Sequence, residues 1–299
     1  MKTKILTLLS ITFLYAASAV AQDYAFKVLV NKGSNELKNG DAWQPIKTGA
    51  SLKSGDELKL SDNAYIGLVH ANGKPIELKQ AGNYKVADLA AKVSGSGSSV
   101  LNKYTDFILS SNSAEAKKNR LSATGAVHRG EATAIQILLP ENQHADVYNA
   151  SVVIAWDANK IEGPYIVVIN NMFGDELAKI ETPESSLRVD LNDARLASEN
   201  AVLVQVAAKS DPNKKSAEKL VKKMAPAQKE KIKVSLGEIQ SNVSEQTALN
   251  NLFLASFYEE HRLYIDAVAA YEEAIRLAPD VAYYKESYED FLIRNGMKR

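Results

Sequence analysis

Alternating apolar and polar residues predict a β-rich first part of the chain. Short apolar, β-branched runs separated by Gly and Asn occupy residues 24–89, and Asn72-Gly73 lies between two of them. Asn-Gly favours the type I′ turn of a β-hairpin, because both residues tolerate a positive φ. Further short apolar runs between turn-forming residues follow over 131–210. We therefore predict a small antiparallel sandwich or barrel over 22–89 and a β-sandwich over 131–210.

The last third of the chain has helical spacing instead. From residue 211 a lysine-rich stretch is followed by LNNLFLASFYEEHRLYIDAVAAYEEAIRLAPD, in which small and apolar residues recur every three or four positions. A second helical run, VLNKYTDFIL, lies in a Gly- and Ser-containing stretch. The predicted fold class is multidomain, with two all-β modules followed by an all-α domain. The predicted segments are 1–21 (signal), 22–89 (β-domain), 90–130 (linker with one helix), 131–210 (β-sandwich) and 211–299 (helical domain).

The N-terminus has the layout of a cleavable secretory signal. Lys2 and Lys4 precede an apolar run at 5–17, and the small-residue motif AVA follows at 19–21. This layout predicts export to the periplasm or out of the cell, without a membrane span after cleavage. An uncleaved anchor or a buried helix is the alternative, although the run is short for a bilayer. The chain has no cysteine, which excludes disulfides and thiolate metal ligands.

Charge and residue chemistry narrow the function classes. Lys plus Arg and Asp plus Glu number 36 each, so no net charge draws the chain to nucleic acid or membranes. No two histidines have metal-binding spacing, and no nucleophile motif is present. We predict no metal, no cofactor and no enzymatic activity, with an enzyme assembled from distant loops as the alternative. The isolated histidines are His70, His128, His144 and His261.

The lysine-rich stretch over 214–234 has two interpretations. No aromatic residues are interleaved with the lysines, so a solvated helix face is the favoured one. The alternative is contact with anionic glycans or nucleic acid. Pro226 is expected to break or kink the helix.

The first β-domain has a characteristic order of apolar and small residues around a Gly-Asp pair. They are Leu52, Gly55, Asp56, Leu58, Ala64, Leu68, Gly73, Ile76 and Leu78. In this order the segment resembles the FecR-like domain. The resemblance implies an extracytoplasmic sensing or scaffold module without catalytic residues.

The middle β-domain places aromatic residues at two successive strand boundaries. Trp156 ends one predicted strand and Tyr165 opens the next. The layout is similar to that of fibronectin type III or immunoglobulin-like modules. We expect both rings to fill the core between the sheets, because aromatic residues dominate cores. The alternative is a sugar-binding face, which would make this domain a carbohydrate or cell-wall binding module.

The C-terminal run resembles one tetratricopeptide repeat. The matching positions, expected to pack the two helices together, are Leu254, Ala255, Tyr258, Ala267, Tyr271, Ala274 and Pro279. Asn251 stands where an aromatic residue is usual. Small residues let two helices approach closely, and proline ends the second helix. The resemblance implies a short groove lined by Leu249, Leu252, Phe253, Ser256, Glu259 and Glu260.

Together these patterns predict an exported, non-enzymatic scaffold or binding protein of the cell envelope. Its tetratricopeptide-like unit is expected to bind another envelope or secreted protein or peptide. Acidic residues outnumber basic ones over 245–291, which favours attraction to the lysine-rich stretch directly upstream, with a basic partner as the alternative. The alternative function is carbohydrate or cell-wall binding by the β-sandwich.

Overall fold

The computed structural model describes residues 24–93, 95, 99–113, 115, 118, 134–158, 161–243 and 245–298. The predicted signal at 1–21 lies outside these residues. No helix in the described part of the chain is long and apolar enough to cross a membrane.

The first β-module consists of two four-stranded antiparallel sheets. One sheet has the order β4-β1-β6-β7 and the other β3-β2-β5-β8. Phe26, Leu58 and Leu68 are wholly buried in the core of this module. The strands are β1 (Phe26–Lys32), β2 (Glu36–Asn39), β3 (Ala42–Pro45), β4 (Ser51–Leu52), β5 (Glu57–Leu60), β6 (Tyr65–His70), β7 (Pro75–Leu78) and β8 (Gly82–Lys85).

The predicted hairpin forms between β6 and β7, but the predicted type I′ turn is wrong. The connecting loop spans 71–74, and only Gly73 has a positive φ, of 92°. Asn72 instead uses its side chain: its Oδ1 accepts from the backbone N of Lys74 at 3.0 Å and its Nδ2 donates to the carbonyl of Val93 at 3.0 Å. An Asn that hydrogen-bonds the local backbone in this way stabilises a wider loop.

Among the described residues, two helices follow the first module, where one linker helix was predicted. Helix α1 (Val86–Lys92) crosses the predicted boundary at residue 90 and buries Leu89 in the core of the first module. Helix α2 (Ser99–Ser111) is the predicted linker helix. It buries Leu101 and Ile108 in the core that it shares with the C-terminal helices.

The second β-module is the predicted sandwich. A three-stranded sheet has the order β14-β11-β9, and a larger sheet has the order β10-β17-β15-β12-β13, with β16 beside β15. Ile154, Val167 and Val204 are buried in the module's core. The strands are β9 (Gln136–Ile137), β10 (Asp146–Val147), β11 (Ser151–Asp157), β12 (Tyr165–Asn170), β13 (Glu176–Thr182), β14 (Ser186–Asp190), β15 (Ala201–Ala208), β16 (Asp211–Lys215) and β17 (Lys219–Lys223).

The prediction that the chain turns helical at residue 211 is wrong. Strand β17 pairs with β15 antiparallel and with β10 in parallel, so it is an inner strand of the sandwich. Val221 supplies its buried side chain, and the lysines around it obscure this single inward position in the sequence. Pro226 is the first residue of helix α3 (Pro226–Gln240), where its missing N–H costs nothing, and does not kink a longer helix.

Helix α4 (Ala248–Glu260) is buried on nearly all sides. Eleven of its thirteen residues are buried, which places it in the interior of the molecule. Against the first module, a Cβ at Gly67 would lie 3.3 Å from Cδ1 of Leu249, so glycine allows the helix to approach strand β6 closely. Glu77 of β7 accepts a hydrogen bond from the backbone N of Leu249 at 2.7 Å. A carboxylate at this position satisfies a free N–H and suits the positive end of the helix dipole.

Helix α5 (Tyr264–Leu277) connects the helical region to the second module. The carboxylate of Asp266 accepts from the backbone N of Tyr148 at 2.8 Å and of Asn149 at 2.9 Å, and from the Asn149 side chain at 2.8 Å. Burial raises the pKa of Asp266 to about 6, although these hydrogen bonds lower it. Val153 and Ala155 of β11 pack into the same apolar core as the helices.

Helix α6 (Ala282–Arg294) returns to the first module. The hydroxyls of Tyr65 and Tyr284 are 2.5 Å apart in a buried hydrogen bond. The helices therefore lie between the two β-modules, and one apolar core joins all three parts of the chain.

Substitution of one of the predicted repeat-packing alanines tests this packing. Ala255, Ala267 and Ala274 are all wholly buried in the core of the helical region. We expect Ala267→Trp to lower the free energy of unfolding by about 3 kcal/mol or more, because the core has no room for an indole. Ala282→Trp, at an exposed helix start, is the control and should leave the melting temperature unchanged. Equal melting of both variants would contradict the observed packing.

Candidate functional site

Four of the six predicted groove residues lie in the interior. Leu249, Leu252, Phe253 and Ser256 are all buried, and Leu249 packs against Gly67 of the first module. The chain itself therefore covers the helix face on which an open groove was expected. The sequence did indicate this burial, because apolar residues lie all around α4, which is typical of a helix buried on all sides.

The two remaining groove residues, Glu259 and Glu260, line a surface cleft. The cleft lies at the junction of α2, α3, α4 and α6 and consists of two adjoining cavities of about 280 and 400 Å³. Both cavities share Lys103, Tyr104 and Glu260. We call this feature the helical cleft. The other lining residues are Phe107, Glu259, Tyr264, Arg294 and Asn295 in the first cavity and Val100, Ser235, Glu238, Phe257 and His261 in the second.

An ion pair between Lys103 and Glu260 lies where the two cavities meet. Burial alone would raise the pKa of Glu260, but hydrogen bonds from Lys103 and Tyr104 outweigh it and lower the pKa below its ordinary value. Burial raises the pKa of Tyr104, so its hydroxyl stays a neutral donor. The side chain of Lys103 is 66% exposed, and an ion pair this open contributes about 1 kcal/mol or less. A ligand cation can therefore replace Lys103 at little cost.

A second, more buried ion pair lies beneath the first cavity. Arg294 donates from Nε and Nη2 to the two carboxylate oxygens of Glu259, each at 2.8 Å, and Asn295 donates to the same carboxylate at 2.9 Å. The guanidinium also lies over the ring of Phe107, 5.9 Å from its centroid. This bidentate pair fixes the end of α6 to the end of α4 and sets the shape of the cavity.

Aromatic rings line the second cavity, where Tyr104 and Phe257 are almost wholly buried and His261 is half-buried. The His261 and Phe257 rings are 4.1 Å apart between centroids, and His261 Nδ1 lies 2.9 Å from the carbonyl of Phe257. Tyr104 meets Phe257 edge-on at 6.2 Å. The half-buried ring of His261, together with Glu238 and Glu260, suits a side chain that has an apolar stem and a positive head.

The predicted repeat-packing residues are mostly buried, but the two tyrosines face different neighbours. Tyr271 stacks on Tyr288 of α6 at 5.6 Å, whereas the hydroxyl of Tyr258 accepts from Asn149 of the second module at 3.0 Å. The buried members of the set are Ala255, Tyr258, Ala267, Tyr271 and Ala274, with Leu254 half-buried and Pro279 exposed.

The sandwich aromatics lie in its core, as expected. Trp156 is 3% exposed and Tyr165 is 6% exposed, with ring centroids 5.4 Å apart. Their burial removes the observation that motivated a sugar-binding face. His128 lies outside the described residues, and no group of His, Asp and Glu within them could hold a metal ion.

No protein-family model matches the chain, and a search of curated proteins finds no significant match. The geometry of the helical cleft therefore carries the functional interpretation.

The Glu259–Arg294 pair, which lies beneath the first cavity, gives a prediction about stability. We expect Glu259→Gln to lower the free energy of unfolding by about 3 kcal/mol, because it leaves a largely buried guanidinium without its charge partner. Glu273→Gln removes the carboxylate from Arg276 and from Arg188, which are both mostly exposed, and should cost below about 1 kcal/mol. Urea unfolding measures both. An equal loss of unfolding free energy in the two variants would show that the Glu259–Arg294 pair does not stabilise this part of the cleft.

Proposed function

We propose that this chain is an exported, non-enzymatic binding protein of the cell envelope that holds a segment of another protein in its helical cleft. The observation that carries the proposal is the cleft itself. It combines the half-buried ring of His261 with the weak, exchangeable Lys103–Glu260 pair. The signal-like N-terminus supports export.

The surrounding modules support this role by holding the cleft in one shape. Helix α4 is anchored at its start by Glu77 of the first module, and its end is fixed to α6 through Glu259. A site that is already ordered loses less entropy when a partner binds. Strands that alternate between two packed sheets support an immunoglobulin-like identity for the second module. The close α4–α5 pair supports a tetratricopeptide-like identity for the helical region.

The partner segment proposed here carries a lysine or arginine. Its cation replaces Lys103 at Glu260, near Glu238, and its aliphatic stem lies against Val100 and the half-buried ring of His261. Arginine gains further from stacking on aromatic faces. A basic partner segment agrees with the excess of acidic over basic residues at 245–291.

Site-specific cross-linking tests the proposal. With a photoreactive amino acid in place of the exposed Lys103, irradiation of cells that make the protein should give one discrete adduct with an envelope protein. Glu260→Lys in the same chain should remove that adduct, because it repels the incoming cation. Deletion of the helical region is unsuitable, since it would remove the core that joins the modules.

The matched control is Glu181→Lys in the second module. Glu181 also pairs with an exposed lysine, Lys209, at 2.7 Å, but lies outside the cleft. The adduct should persist in this variant. An adduct that survives Glu260→Lys, or is lost equally in both variants, would exclude the cleft as the binding site.

A further inference from the structure

The larger sheet of the second module is apolar on its outer side. On β12 and β15 buried residues alternate with half-buried ones, so every second side chain points away from the core of the sandwich. Antiparallel sheets that face water usually have polar residues at these outward positions. We call this surface the outer sheet face. Its apolar residues are Ile166, Val168, Leu203, Ala207 and, on β17, Leu220.

The outward apolar residues of the smaller sheet, in contrast, are covered by helices. Val153 and Ala155 of β11 point away from the sandwich core and are buried in the core shared with the helical region. Within the described part of the chain, none of the five apolar residues of the outer sheet face belongs to an apolar core. A contiguous apolar surface of this kind is typical of an interaction site.

One row of residues across the outer sheet face is acidic at one edge and basic at the other. Ile166 lies opposite Glu181 of β13 on one side and Ala207 of β15 on the other, and Ala207 in turn lies opposite Lys215 of β16. Residues directly opposite each other in antiparallel strands share a face. Among the described residues Lys215 has no ion pair, and Glu181 pairs with the exposed Lys209 at 2.7 Å.

The next row has these charges in the reverse order. Val168 lies opposite Lys179 of β13 and Gln205 of β15. At the far edge, the exposed Glu218 lies in the irregular segment between β16 and β17. Each edge therefore carries one acid and one base, and the order of the two is opposite at the two edges.

We infer that two copies of this chain associate through the outer sheet face, related by a twofold axis that runs parallel to the strands between β12 and β15. Rotation about this axis exchanges the two edges, so Glu181 of each copy meets Lys215 of the other. Lys179 meets Glu218 in the same way. A charge pattern that is complementary to itself under a twofold rotation selects a second copy as the occupant. Two sheets packed face to face keep their strands aligned within about 30°.

The outer sheet face is small for a protein interface. Four neighbouring strands about 4.8 Å apart and six residues of about 3.3 Å each give a footprint on the order of 400 Å² per copy. Standard interfaces bury about 800 Å² per partner, so this dimer is weak and its formation depends on protein concentration. The face shares no residue with the helical cleft, and the inference does not depend on the proposed function.

Sedimentation equilibrium of the purified full-length protein tests this inference. The average mass should rise over about 10 µM to 1 mM and level off at twice the monomer mass, because a twofold contact closes. Every variant keeps the same N-terminal segment, so association through that segment would be equal in all of them.

A variant in the apolar part of the face should weaken the dimer. Val168→Glu places two like charges beside the axis and should weaken association by about tenfold or more. Lys179, directly opposite on β13, gives the new carboxylate a cross-strand partner that favours the native strand. Val234→Glu, at a side chain on α3 that is 70% exposed, is the matched control and should associate like the wild type.

Charge reversal at the edges tests the position of the axis. Glu181→Lys and Lys215→Glu should each weaken association by about tenfold, because like charges then meet at both contacts of the dimer. A mixture of these two proteins should form one-to-one dimers with near wild-type affinity, because opposite charges then meet at both contacts. The cross-linked adduct at Lys103 should persist in the Glu181→Lys protein, since each copy has its own cleft, so the two proposals fail separately.

Three results would overturn the inference. They are a wild-type protein that stays monomeric at every concentration, association that Val168→Glu leaves unchanged, and a mixture of the two charge-reversed proteins that forms no dimer. A monomeric protein whose melting temperature falls with Val168→Glu, but not with Val234→Glu, would show instead that the chain covers this face itself.

Discussion

The burial of helix α4 between two β-modules is the constraint on which the rest of the structure depends. The helix cannot bury its apolar residues against α5 alone, because they lie on all of its faces. Strand β6 of the first module packs against one side of the helix at Gly67. Glu77 accepts a hydrogen bond from the backbone N–H of Leu249 at the start of the helix. Helix α5 then binds the second module through the buried carboxylate of Asp266. The molecule is therefore organised around a shared core that crosses its domain boundaries.

This arrangement changes where a partner can bind. In an open helical repeat the inner face of the first helix would be free, but here strand β6 lies against it. The accessible surface moves to the end of α4, where Glu259 and Glu260 meet α2 and α6. One of these acids is used to hold the floor of the cleft, and the other is in an exposed pair that a ligand can replace.

Local patterns predicted much of the fold. The alternating strands, the linker helix, the α4–α5 pair and the buried Trp156 follow from spacing and residue type. Strand β17 was missed because lysines surround its one inward residue, Val221. The shared core was missed although the sequence carries a signal for it. YIGLVH in β6 is an unbroken apolar run, which is typical of a strand covered on both faces. Spacing also cannot reveal contacts such as Tyr65 with Tyr284, which depend on how distant segments meet.

The two tryptophans allow a direct test, since Trp43 lies in the first module and Trp156 in the second. Trp43→Phe and Trp156→Phe give two single-tryptophan proteins, and urea unfolding followed by fluorescence then reports on each module separately. Because one core joins the modules, both should unfold in a single coincident transition, matched by loss of the helical circular dichroism signal. Two separate midpoints, with one module still folded after the helices have melted, would contradict the shared core.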